Sequence, residues 1–439
     1  MKTLFLKIAA VLLLLPVFTF AQTKWLIKSE TNFNFILETK VEGNKIEGST
    51  RKNAIKDYFS IIEYMVVKKK FDLDTPEFIH LEATANNRKD FRGKFSELRT
   101  KYDLILRMDD QNIELELKDS KGKVKILKGE KLAENYQGKN YSKLADSLIS
   151  NIETNIFDRK YLQTTSYLDF KKDLLKNTPK IVDDFEFQYA FIISAIIKRK
   201  LEFSHLNLMK KGGNAGDSKF TLTEINPKTC VLDIDAFNGN RKKIDSLISQ
   251  IKVKKYSNLI IDLRDNPGGN FETSLPLGNF LTNREFVVGY FPNQKWYNEN
   301  NRSPNETDRG HFNIFRYGTL DEFYKKAADQ SGAFLLTSPD AETFKGKVFI
   351  LTNNKTGSTA EVFTTAAKEE KLATIVGTKT AGVLLSAKGF ELDNEFAVII
   401  PTNDFISDKG FRVDRVGISP DVEVGEGDAL DYVLKNLIK

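Results

Sequence analysis

A single cysteine in 439 residues has no partner for an internal disulfide, and the three histidines, His80, His205 and His311, stand too far apart in sequence to show zinc-ligand spacing. Cys230 lies in the apolar run TCVLDI, the setting of a buried structural thiol rather than a reactive one. No metal or other cofactor is implied. Long apolar runs are scarce as well. The one present, Ile8 to Phe20, is too short to span a bilayer, and it follows Lys2 and Lys7 and precedes the small residue Ala21. This pattern predicts a cleaved secretory leader over residues 1–21 and a mature chain that is periplasmic or secreted. No cysteine ends the leader, which argues against a lipid anchor, and no integral membrane segment follows it. Losing the two leader lysines lowers the net charge from +6 to +4, too small an excess to argue for nucleic acid or a charged membrane surface.

What is present divides the chain into stretches of different periodicity, as expected for a length of two or three domains. Between Trp25 and Leu132, short alternating runs such as NFILETKV, PEFIHLEAT, YDLILRM and NIELELK are broken by Asn, Asp and Gly. They predict an N-terminal all-β domain over 22–132, a sandwich or small barrel, with Lys68 to Lys70 on a solvated loop or edge. Apolar positions at helical spacing, Leu144, Leu148, Ile149 and Ile152 and then Tyr189 to Ile197, predict a helical bundle over 133–205. From 206 to 439 strand and helix signals alternate, predicting an α/β domain with a partly parallel sheet. Its segment from about 290 to 341 is polar and aromatic, with Trp296, Tyr297, His311, Phe312 and Phe315, and reads as an insertion bordering a binding cleft.

Two loops of that last domain stand out. The buried-strand run LIIDL leads into Arg264-Asp265-Asn266-Pro267-Gly268-Gly269, and the run VFIL leads into KTGSTAEV, where Ser358 precedes apolar positions Val362, Phe363, Ala366 and Ala367 at helical spacing. Ser358 therefore sits at or near a helix N-cap. A capping serine is the common reading of such a position. A nucleophile is the other, because a strand-to-helix elbow exposes the hydroxyl beside the unpaired N–H groups of the first helical turn.

Taken in order, LIIDLRDNPGG, KVFILTNNKTGSTAEVFTTAAK, ATIVGTKTAG and VGISPDVEV resemble the core of the tail-specific (C-terminal processing) and tricorn-type serine proteases. The resemblance implies that Ser358 is the nucleophile and that the N–H of Thr359 and one from the Gly268-Gly269 loop form the oxyanion hole. In the tail-specific branch a lysine base follows the motif matching GTKTAG, but Val383 stands there, and the stretch from His205 to Cys230 is too short for that branch's PDZ domain. The tricorn-type branch uses an upstream serine and histidine and a carboxylate three residues before the glycine of the last motif. Ser204, His205 and Asp414 occupy these positions, Asp414 being one methylene shorter than the usual glutamate. The resemblance thus implies a serine peptidase acting on peptide or protein substrates without a cofactor, His205 serving as base with Ser204 and Asp414 as supports. A non-cleaving relative that binds peptides or apolar ligands is the alternative.

If the leader is read correctly, mass spectrometry of the protein purified from its exporting host will show an N-terminus at Gln22. An intact Met1 on cytoplasmic protein would refute the export reading.

Overall fold

The computed structural model describes residues 22–29, 33–86, 90–198, 201–211, 218–425 and 427–438. The expected leader and the glycine-rich turn at 212–216 lie outside them. The described chain forms two compact units, one of residues up to 146 with 170–199, the other of 147–169 with 200–439.

In the first unit eight strands between Gln22 and Lys131 pair antiparallel in sequence order, and Gln22–Lys28 pairs back onto Val124–Lys131 to close a barrel. Closure leaves no unpaired edge. Strand Asn112–Lys118 shows why its residues form it: Ile113, Leu115 and Leu117 are buried while their neighbours are not, the period-2 alternation of a wall with one apolar face. Trp25, Leu37, Leu81, Phe95 and Leu106 fill the interior from other strands. Of the two all-β arrangements the sequence allowed, the barrel is the one formed.

The stretch expected to be all-β also contains a helix, Ile61–Phe71, so Lys68 to Lys70 sit on a helical turn rather than on a loop or strand edge. Its apolar run IIEYMVV is too short to distinguish strand from helix by periodicity. The signal was Ser60 with Glu63, whose side chains bond each other's backbone N–H groups in a capping box. Helix Asp184–Ile192 packs Phe185 and Tyr189 on Phe78, and Glu186 pairs with Arg51.

The second unit is built on a six-stranded sheet in the order Phe220–Asn226, Thr229–Ile234, Asn258–Asp262, Lys347–Thr352, Thr374–Gly377, Val422–Glu423. The first pair is antiparallel and the rest are parallel. Asn258–Asp262 and the apolar part of Lys347–Thr352 are buried throughout, as β-branched runs between helices on both faces should be. Cys230 is fully buried here, and burial pushes its thiol up to about 12.

The 290–341 segment is not a loop. Strands Val287–Pro292, Asn313–Phe315 and Gly332–Leu336 form a second sheet with Ile406–Ser407, and its core joins Phe271, Phe291, Phe315 and Phe323 at ring separations of 5.1–6.0 Å. Trp296 is 1% exposed and donates its indole N–H to the Arg302 carbonyl at 2.8 Å. Trp296, Phe312 and Phe315 are therefore interior side chains of a small subdomain and do not line a cleft.

The barrel is tightest at Gly93, where an added Cβ would lie 1.9 Å from the Glu82 carbonyl oxygen and 2.5 Å from the Ala83 Cα. Backbone cannot yield there as a flexible side chain would. Gly93→Ala is expected to destabilise the barrel by about 2–3 kcal/mol, read as a lowered denaturation midpoint. An unchanged midpoint would show that the pairing of Ile79–Ala85 with Asp90–Glu97 is looser than described.

Candidate active site

Parallel pairing of Asp262 with Leu351 sets the carboxyl ends of Asn258–Asp262 and Lys347–Thr352 side by side, where sites form in such sheets. Their loops are tied together. The Gly357 N–H donates to the Asn266 carbonyl at 2.9 Å, the Thr356 hydroxyl to the Leu263 carbonyl at 2.7 Å, and the Asp265 N–H to Asn353 Oδ1 at 3.0 Å. At Ser358 the chain turns with φ 54° and ψ −123° before helix Thr359–Glu369 begins. A non-glycine residue held there costs about 1–3 kcal/mol and persists only where its surroundings impose it. Ser358 is the N-cap residue of that helix, as its position in the sequence predicts, and the Glu361 carboxylate accepts its N–H at 3.1 Å. Its hydroxyl also has a partner outside the helix, His205 Nε2 at 3.3 Å.

His205 lies just before strand Asn207–Lys210, which pairs with Phe396–Asn403, and its own backbone has φ 61°. Ser204 Oγ sits 2.7 Å from His205 Nδ1. Asp414, 1% exposed, accepts the Ser204 N–H at 3.3 Å and the Leu384 N–H at 3.1 Å. Thus Ser204, His205, Ser358 and Asp414 come together. Asp414, however, does not contact the ring: the ring's far nitrogen bonds the Ser204 hydroxyl, and the carboxylate reaches Ser204 through the backbone. Burial pushes the His205 imidazole below its usual value; Asp414 opposes this, and Arg415 adds to it.

The glycine loop divides its two amides. The Gly268 N–H donates to Asn266 Oδ1 at 2.8 Å, so it is already used. Those of Gly269 and Thr359 have no acceptor among the described residues. Gly268, at φ +107°, lies against the elbow so closely that a Cβ would meet Ser358 Cβ at 2.6 Å and the Thr359 nitrogen at 2.9 Å. No side chain larger than hydrogen fits. The Thr359 hydroxyl fixes the spacing by donating to the Gly269 carbonyl at 2.7 Å.

Val383, at the position where the tail-specific branch keeps lysine, accepts the Ser358 N–H at 2.9 Å, and its side chain crowds Gly357. Lys379 and Lys388 are exposed.

Two functional candidates escaped the sequence reading. Glu361, fully buried one turn into the helix, accepts four bonds: Ser358 N–H at 3.1 Å, Thr380 Oγ1 at 2.6 Å, Gly382 N–H at 2.7 Å and Val383 N–H at 3.0 Å. Burial raises its carboxyl, and these donors oppose the shift. Its signal was the spacing Ser358-x-x-Glu361, the pattern of a helix start. The other is Arg412, which pairs with buried Asp404 at 2.9 Å and holds a guanidinium nitrogen 3.8 Å from Asp414. Tyr297 donates to the same Asp404 at 2.9 Å, so the inserted subdomain is linked to Asp414 by way of Asp404 and Arg412, not through its tryptophan. Nothing local in the sequence announced this pair.

Residues 228–424 match peptidase family S41. The chain is 24% identical over 226 residues to a probable CtpA-like serine protease of Staphylococcus epidermidis, covering 49% of this chain and 39% of that one. To the tricorn protease of Thermoplasma acidophilum it is 24% identical over 200 residues, covering 43% of this chain and 15% of that one. A lipoprotein structure from Streptococcus agalactiae aligns with TM-score 0.47 at 16% identity, over 69% of this chain and 98% of that one. The chain spans two fifths or less of the length of these curated relatives.

Replacing Glu361 by Gln puts an NH₂ against donors that need an acceptor. The expected result is a loss of about 3 kcal/mol of stability together with at least a tenfold drop in Ser358 reactivity toward a fluorophosphonate probe. Full reactivity at unchanged stability would show that the elbow holds its shape without the carboxylate.

Proposed function

Because residues 228–424 carry the peptidase family S41 core, we propose that this chain is an exported serine peptidase of the tricorn-like kind, cleaving peptide bonds through an acyl-enzyme on Ser358 with His205 as base. The observation that carries the proposal is the 3.3 Å approach of His205 Nε2 to Ser358 Oγ across 153 residues of sequence, beside two amides free to bind an anion.

A serine hydroxyl is a poor nucleophile at neutral pH until a base takes its proton. With Nδ1–H donating to Ser204 Oγ, Nε2 keeps its lone pair toward Ser358, and a depressed imidazole pKa keeps it neutral near pH 7. Attack of Oγ on the substrate carbonyl carbon moves the hydroxyl proton to Nε2 and charge to the carbonyl oxygen. The Gly269 and Thr359 N–H groups, with the dipole of the helix from Thr359, stabilise that oxyanion. Collapse breaks the C–N bond, and Nε2 returns its proton to the departing amine. Water, deprotonated by the same nitrogen, then releases Ser358. The imidazolium of each step is balanced by Asp414, whose charge acts through Ser204 rather than by a direct bond.

Turnover of an unstructured polypeptide should vanish in Ser358→Ala and fall by about 10⁴ in His205→Ala, while Lys379→Ala and Lys388→Ala stay within twofold of the parent. The acid limb of kcat/KM should have its midpoint below the ordinary histidine value of about 6.5, because burial disfavours the charged ring; activity is lost as pH falls through it. A fully active His205→Ala protein, or one inactivated by loss of either lysine, would assign the base elsewhere.

A further inference from the structure

The barrel unit carries a feature that peptide hydrolysis does not use. Helix Ile61–Phe71 buries none of its residues, and Ile61, Ile62, Met65 and Val66 are 82, 76, 66 and 60% exposed. These four form one outward face at the spacing i, i+1, i+4, i+5, while Tyr64, Val67 and Phe71 are the partly covered side. Scattered exposed apolar residues need no explanation, but four contiguous ones on an otherwise exposed helix do. Helix propensity does not explain them either, since three of the four are β-branched. Directly beyond them, Lys68, Lys69 and Lys70 occupy the last turn; none makes an ion pair among the described residues, and the Lys70 ammonium lies 5.6 Å from the Phe71 ring centroid. The one acidic side chain within the helix, Glu63, is held by the Ser60 N–H at 2.8 Å.

We propose that this helix docks onto an anionic bilayer surface, its four apolar side chains entering the boundary between headgroups and acyl chains and its three lysines contacting lipid phosphates. An apolar face beside unpaired lysines is the pattern of an interfacial helix, whose binding adds apolar burial to attraction by anionic lipid. A protein partner fits less well, because a stable interface needs about 800 Å² from each side with matched shape, more than four side chains supply. A lipid surface requires no shape match. The small net charge of the chain concealed this feature, since the lysines act as a cluster.

The test is co-sedimentation of the full chain with vesicles of phosphatidylcholine alone or mixed with phosphatidylglycerol. All variants keep one N-terminus, so their differences report on this helix. Binding should require phosphatidylglycerol and weaken with salt. Lys68→Gln, Lys69→Gln and Lys70→Gln combined should weaken it on the order of a hundredfold, at about 1 kcal/mol per lysine. Ile62→Ser with Met65→Ser should weaken it at least tenfold at an unchanged melting temperature. Equal binding to both vesicle types, or equal binding by parent and variants, overturns the proposal. So does concentration-dependent dimerisation of the parent that Met65→Ser abolishes, which would give the face to a second copy.

Discussion

The buried carboxylate of Glu361 is the point on which the site's geometry depends. It joins the Ser358 N–H to the Thr380, Gly382 and Val383 donors, so the elbow and the loop after Thr374–Gly377 are held by one side chain. Desolvating a carboxylate is costly, and four accepted bonds are what offset that cost. The same loop then passes the constraint on, because the Leu384 N–H meets Asp414 and the Gly382 carbonyl accepts the Arg415 N–H. Ser358 and Asp414 are in this way fixed to each other through one loop.

Four of the nine non-glycine residues with positive φ among the described residues, Ser358, His205, Asp265 and Arg415, lie in these loops. Such strain is affordable because the six-stranded sheet beneath is apolar and fully packed. Arg412 and Asp404 complete the surroundings of Asp414. A half-buried guanidinium 3.8 Å from the carboxylate keeps that site from being wholly negative, while Tyr297 and Arg412 satisfy Asp404.

The sequence by itself determined the elements whose cause is local. Alternating runs made the barrel strands, buried β-branched runs made the central sheet, and glycines and asparagine after LIIDL made the loop beside Ser358. Ser358, His205, Ser204, Thr359 and Asp414 were all legible as positions. Their contacts were not. The ring's Nδ1 meets the adjacent Ser204 rather than Asp414, and Gly268 gives its amide to Asn266 two residues back, because side-chain angles within a loop decide such bonds; Asp414 reaches Ser204 across 210 residues of sequence. The aromatic insertion looked like a cleft because exposure and burial of a tryptophan are identical in sequence; only the pairing of Val287–Pro292 with Gly332–Leu336 made it a core. The helix Ile61–Phe71 shows the converse. Its apolar residues promised burial, and it is the closed barrel, with its interior already filled, that left them facing outward.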